Sequence, residues 1–274
     1  MYKCLNPGAV GVKLGWEECL PLARENGFSG IDLAIDPAVP TSFYRDALQK
    51  NGLKPGGMGL PVRADDDETT YGQKIDSLTD LAKRAQDIGV SRFNTWIKSF
   101  SDELDWDDNF RLHVDRLGAA ASILADHGCR LGLEFLGPKT LRDGHRYEFV
   151  HTMEQMLELA AAVGPNVGLL LDAWHWHTSA STVEALRTLK NSDVVYVHVN
   201  DAPAGVAMDE YQDLVRRLPG DTGVIDMRQF MATLAEIGYD GPVVPEPFVP
   251  ALGEMSPDDA LKAVGEAMNR IWTF

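Results

Sequence analysis

Short aliphatic runs alternate with longer stretches whose apolar positions recur at helical spacing, and this double rhythm persists from one end of the chain to the other. Residues 2–5 predict a first strand and residues 15–25 a helix stopped by Asn26-Gly27. A second strand is expected over 31–35. Thr41-Ser42 can cap a helix that runs to Lys50 and stops at Asn51-Gly52, after which 53–60 carries a Gly-rich third strand. The acidic Asp65-Asp66-Asp67-Glu68 reads as an exposed loop before a helix over 71–87, and 92–96 gives the fourth strand.

The second half repeats the pattern with clearer signals. A helix over 106–126 leads to a fifth strand at 131–135, and a helix over 153–162 leads to the aliphatic run ending at Leu171. A helix over 181–189 precedes a seventh strand at 194–199. A long connection containing Pro219-Gly220 and Gly223, then a helix over 227–237, leads to an eighth strand at 243–246, with a last helix over 257–272.

Eight strands alternating with eight helices predict an α/β fold, a parallel sheet closed as a (β/α)8 TIM barrel, with residues 1–274 as one domain. An open doubly wound sheet is the alternative, but no Gly-x-Gly-x-x-Gly follows the first strand, so the usual dinucleotide signature is absent. A net charge of −16 leaves no basic field for a phosphate backbone, which argues against a nucleic-acid partner. Three cysteines at unrelated spacings give neither a disulfide framework nor a thiolate metal site, and point to a reducing cytoplasm. The N-terminal residues lack a signal-peptide pattern, and no apolar window approaches a membrane span.

Chemistry enters where strands five to eight end. Glu134, Asp172, His198 and Glu246 each close an apolar run, and consecutive barrel strands would bring all four over one rim. Any one alone is explained as a cap or loop residue; four in succession are not. Two Glu, one Asp and one His make an oxygen-rich set suited to one divalent ion, Mn²⁺, Mg²⁺ or Co²⁺, and admitting Zn²⁺. Such an ion, chelated by a carbonyl and the neighbouring hydroxyl of a sugar or keto-polyol, would stabilise an enediolate. Glu134 and Glu246, on non-adjacent strands, would then act as base and acid, giving isomerisation if two carbons exchange protons and epimerisation if one does. The same enolate could instead expel a β-substituent, which makes a lyase or dehydratase, including cleavage of keto-sugar glycosides, the competing reading. A turn after Asp172 can bring His175 to the mouth as a substrate contact, with His177 in a supporting part. Trp96, Trp174, Trp176 and Phe248 are candidates to wall the pocket, and Asn200-Asp201 are expected at the mouth beside His198.

Leu133-Glu134-Phe135, the run from Leu171 to His177, Val197-His198-Val199-Asn200-Asp201, Pro219-Gly220 with Gly223-Val224-Ile225-Asp226, and Ile237-Gly238-Tyr239 before Glu246 together resemble the xylose-isomerase-like sugar isomerase/epimerase barrels. Within that family they are most similar to the inosose (2-keto-myo-inositol) isomerase branch. The similarity spans most of the chain from Arg130 onward. It implies a TIM barrel with one divalent metal on Glu134, Asp172, His198 and Glu246, the two glutamates doubling as acid/base groups, and His175 and Arg216 touching the substrate, with Arg217 competing for the latter role. Barrels of this kind are often dimers or tetramers, which makes a homo-oligomer an expectation. The family also includes abasic-DNA endonucleases, but those use additional histidines from early strands, and here no histidine precedes His113.

Overall fold

Parallel strands buried on both faces need helices on the outside and side chains filling the inside. In the computed structural model, which describes residues 1–274, the first half supplies β1 (Tyr2–Leu5), α1 (Trp16–Glu25), β2 (Gly30–Ile31), α2 (Thr41–Asn51), β3 (Lys54–Pro55), β4 (Met58–Gly59), α3 (Glu68–Ile88), β5 (Arg92–Trp96), β6 (Phe100–Ser101) and α4 (Trp106–Asp126). The second supplies β7 (Arg130–Glu134), β8 (Tyr147–Glu148), α5 (Met153–Val163), β9 (Val167–Asp172), α6 (Ala173–Thr178), α7 (Val183–Leu186), β10 (Val194–Val199), α8 (Met227–Glu236), β11 (Pro242–Pro245) and α9 (Pro257–Ile271).

A 9-stranded sheet runs in the order β3-β2-β1-β11-β10-β9-β7-β5-β4, parallel throughout. Its two edges, β3 and β4, are successive pieces of the chain joined by Gly56-Gly57, so the sheet curls shut on itself. Counted as one interrupted strand, they make the eight of a TIM barrel. β6 and β8 form a separate antiparallel pair. A cluster of 64 buried residues fills the space between sheet and helices, while Cys4, Leu170, Tyr196 and Val244 pack as a smaller cluster inside the barrel. No helix is long and apolar enough to cross a membrane, and all three cysteines are free and buried.

The interruption in the third strand has a steric cause. A Cβ on Gly56 would overlap the Asp32 carboxylate and the Cys4 thiol, and one on Gly57 would lie 2.5 Å from Tyr196 Cε2 and 3.2 Å from the Arg92 carbonyl oxygen. The backbone can approach this crowded interior only without side chains. Gly57→Ala is therefore expected to destabilise the fold by about 1–3 kcal/mol through overpacking, measurable as a lower urea midpoint with unchanged slope. An unchanged midpoint would show that Tyr196 shifts aside freely.

Other departures from the sequence pattern are local. β2 stops at Ile31 instead of Ile35, because the chain past Asp32 turns into the barrel mouth. α3 begins three residues earlier than the apolar periodicity indicates. Asp67, expected in a loop, caps it by accepting from the Thr69 and Thr70 amides, and Glu68 favours the first turn through the helix dipole. After β9 the chain enters α6 directly instead of a turn, and the helix expected over 181–189 shortens to α7. β11 ends at Pro245, so Glu246 lies just past the ladder, still held by its amide to Val199 O at 3.0 Å.

Candidate metal centre and active site

Strand ends bring Glu134, Asp172, His198 and Glu246 to one rim of the barrel. His198 stands opposite Asp172 across β10 and β9, Trp96 opposite Glu134 across β5 and β7, and Val199 opposite Pro245, with Glu246 next. Side chains alternate along a strand, so Val197 and Val199 join the large outer core while His198 and Tyr196 face the barrel interior. One ligand atom from each of Glu134, Asp172, His198 and Glu246 lies within 4.8 Å of the others. His198 Nδ1 is the nitrogen turned to the cluster, 3.3 Å from both Glu134 Oε1 and Glu246 Oε2 and 3.9 Å from Asp172 Oδ2.

Asp172 divides its two oxygens. Oδ1 caps α6 by accepting the Trp174 amide at 2.7 Å and also accepts Asn200 Nδ2 at 2.8 Å; Oδ2 faces the cluster and accepts Arg216 Nη1 at 2.7 Å. The same guanidinium nitrogen reaches Glu246 Oε2 at 2.9 Å, while Nη2 pairs with Asp213 Oδ1 at 3.0 Å. Arg216 is only 2% exposed. Asp201 positions the loop that carries it. Its backbone pairs with that of Arg217, and its carboxylate accepts the amides of Thr222, Gly223 and Ile225. Asp201, expected at the mouth, thus faces the connection instead.

The electrostatics follow from crowding carboxylates in a dry pocket. Burial pushes Glu134 up to about 8 against the pull of His198. Burial also acts on Asp172, but Arg216, His175 and His198 outweigh it and hold the group at about 2. Glu246 is likewise held below its usual value by His198 and Arg216 in spite of burial. The imidazole of His198, which burial alone would discharge, is held well above its ordinary range by Glu246 and Glu134. Once Glu134 and His198 give up their protons, as ligation of a cation requires, three carboxylates against one guanidinium leave two negative charges in the cluster. Three oxygen donors, one nitrogen donor and that charge fit a divalent cation.

Two cavities open on this cluster. One of about 700 Å³ is lined by Asn6, Trp16, Asp32, Arg63, Asn94 and Trp96 together with Glu134, His198 and Glu246. A second of about 420 Å³ is walled by Phe100, Leu136, Leu141, Leu214 and Phe248, with His175 and Arg216 behind. Trp96, Glu134 and Glu246 border both. Trp96 is 45% exposed, with Arg63 stacked 3.6 Å above its ring.

The remaining expected residues fall in different places. Trp174 is not in the pocket wall: it is fully buried, its ring edge on Tyr211 and its face 5.5 Å from Arg216. α6 turns it inward because Asp172 caps that helix. His175 is also buried. Its Nδ1 accepts the Gly137 amide at 3.2 Å, while Nε2 lies 3.2 Å from Arg216 Nη2, with Asp213 Oδ1 at 3.7 Å and Asp172 Oδ2 at 3.9 Å. His177 packs on Tyr211, away from the cluster. Arg217 is exposed and donates to the Arg216 carbonyl, leaving Arg216 as the arginine at the site.

Asp213 took a part in the cluster that sequence reading did not foresee. It has a signal in retrospect, the three-residue spacing to Arg216. Asn200 is at the mouth as expected, and the neighbouring β9 shows which way its amide points. It is fully buried, links Asp172 Oδ1 to the Glu246 carbonyl, and its Oδ1 has no partner. Asn200→Ala is expected to weaken divalent-metal affinity about 10- to 100-fold by loosening Asp172, read by metal titration; unchanged affinity would make Asn200 a packing residue.

Fold and site together define a TIM-barrel protein with a buried, carboxylate-rich cluster suited to a divalent cation at the C-terminal ends of its strands. The xylose isomerase-like TIM barrel family matches residues 20–271, and the chain belongs to that family. It is 26% identical to an inosose isomerase of Halalkalibacterium halodurans over 96% of this chain and 93% of the relative. Among solved structures, a xylose isomerase domain protein of Alicyclobacillus acidocaldarius superposes with a TM-score of 0.86 at 29% identity, covering 99% of this chain and 98% of the other. The IOLI protein, crystallised with a zinc atom, superposes with a TM-score of 0.83 at 22% identity, covering 99% and 98%. Shorter matches, over about half of this chain, reach a ketose 3-epimerase of Arthrobacter globiformis and a 3-dehydroshikimate dehydratase of Pseudomonas putida. With relatives of this kind along the chain, the protein is an enzyme.

Proposed function

We propose that this chain is a divalent-metal-dependent isomerase or epimerase acting on a small sugar or keto-polyol. The observation that carries the reading is that Glu134 and Glu246 reach one His198 nitrogen at equal distance from separate strands while both border the same cavities. Glu134, Asp172, His198 and Glu246 would hold the ion, Mn²⁺, Mg²⁺ or Co²⁺ by donor hardness and Zn²⁺ by tolerance, and when bound it supplies a Lewis acid that makes the C–H beside a carbonyl acidic. One glutamate takes that proton onto a carboxylate oxygen. Return by the other to the opposite face of the same carbon inverts the centre; return by the first to the adjacent carbon, with the other passing the hydroxyl proton to the former carbonyl oxygen, moves the carbonyl. Arg216 and His175 stand behind the apolar chamber and hold Asp172 and Glu246 in place, and Trp96 offers a ring face between the two chambers. Three buried free cysteines agree with a reducing compartment such as the cytoplasm.

The test is hydrogen exchange. The Mn²⁺-loaded protein, incubated in heavy water with inososes, ketoses and keto-glycosides, is expected to incorporate deuterium next to a carbonyl in a true substrate; a panel with no incorporation would refute the reading. The chamber walled by Phe100, Leu136, Leu141 and Phe248 favours a second outcome, in which the same proton abstraction expels an apolar β-substituent housed there. Release of that group with an unsaturated product, in place of an isomer, identifies a lyase.

A further inference from the structure

Four carboxylates are buried in this chain, and three are accounted for: Glu134 and Asp172 in the ligand cluster and Asp201 in its loop. The fourth is Asp32, 9% exposed, immediately past β2. Its Oδ1 accepts the Gly57 amide at 2.8 Å and the Cys4 thiol at 3.5 Å, and the Tyr196 hydroxyl donates to the carboxylate from across the barrel. Oδ2 has no protein partner besides that hydroxyl. A carboxylate oxygen has about two acceptor positions, so one is left open. Asp32 stands in the wall of the 700 Å³ chamber that Glu134, His198 and Glu246 also line.

The fold gives up regularity to place it there. β2 stops at Ile31, and the third strand breaks at Gly56, where any side chain would overlap the Asp32 carboxylate. Satisfying one tyrosine hydroxyl does not require this, because a backbone carbonyl would serve without a buried ionisable group. A carboxyl acceptor with a vacant lone pair, on the wall of a chamber that also presents Asn6, Asn94 and Trp16 among apolar residues such as Leu33 and Met58, has the chemistry to take a hydroxyl donor.

We propose that Asp32 is a hydroxyl-binding station: Oδ2 accepts a hydrogen bond from a polyol hydroxyl on the part of the substrate remote from Glu134 and Glu246, making the enzyme selective for hydroxyl position. The inference rests on the reading of the site as one for a sugar or keto-polyol. A site built to pair one hydroxyl rejects the analogue that lacks it, since the carboxylate is then left unpaired.

The experiment measures binding, independent of turnover. Calorimetric titration of the full-length, Mn²⁺-loaded protein with myo-inositol and its monodeoxy analogues is expected to show one deoxy position binding about 10- to 100-fold more weakly than the parent. Asp32→Asn should weaken the parent by the same factor and lose the discrimination. Tyr196→Phe, which keeps the carboxylate, should retain it. Parent binding by Asp32→Asn equal to the wild type overturns the proposal. So does equal weakening of every ligand in both variants with a lowered Tm, which would mark a structural pair, and so does a lack of polyol binding altogether. Deuterium incorporation in a ketose without inositol discrimination would sink only this inference. Discrimination without any deuterium incorporation would sink only the enolisation reading.

Discussion

Glu134→Gln and Glu246→Gln each lose turnover by about 10²- to 10⁴-fold, the usual contribution of a positioned general acid or base. Gln keeps a carbonyl oxygen for the ion and the volume of Glu, so metal content measured on the purified variants should fall far less than turnover. The two variants then separate the two proton-transfer schemes. If the glutamates serve opposite faces of one carbon, the variant that retains the glutamate facing the substrate proton still exchanges it with heavy water although it forms no product. Under the two-carbon scheme, with one glutamate carrying the proton between the carbons, a single variant loses exchange and product together. A metal-replete variant of either residue with turnover within about tenfold of the wild type would remove that carboxylate from the chemistry.

Arg216→Met is expected to produce the largest loss of stability, on the order of 3–5 kcal/mol, because it strands buried carboxylates. The guanidinium bonds Asp172, Glu246 and Asp213 with 2% of its surface exposed; burial works against its charge, and these partners outweigh it and keep the charge in place. For a chain of this size the corresponding drop in Tm is on the order of 10 °C. The same argument sets a sign for the metal. Where the arginine is missing, the divalent ion is the remaining counter-charge for Asp172 and Glu246, so saturating Mn²⁺ should raise the Tm of Arg216→Met more than that of the wild type. Differential scanning fluorimetry with and without Mn²⁺ measures both terms. A variant that melts with the wild type in the metal-free state would mean that the carboxylates shed their charge by taking up protons.

Sequence alone marked the residues that gather at the cluster. The aliphatic runs of β7, β9 and β10 stop on Glu134, Asp172 and His198, and β11 stops just before Glu246, because a strand buried on both faces admits polar groups only at its end. That constraint is local, so it is written into the order of residues. The same holds for the alternation that made the barrel legible. Tertiary structure alone decided where side chains point and what they meet. The capping bond from Asp172 converts an expected turn into α6 and sends Trp174 into the core, and the pairing of Asp201 with Arg217 brings Arg216, distant in sequence, onto two ligand carboxylates. Asp32 was invisible for the same reason. A lone Asp after a short strand has no periodicity to mark it, and only barrel closure at Gly56-Gly57 brings it against Tyr196 and the chamber wall. Burial and partnership across strands are properties of the closed sheet, and no window of sequence contains them.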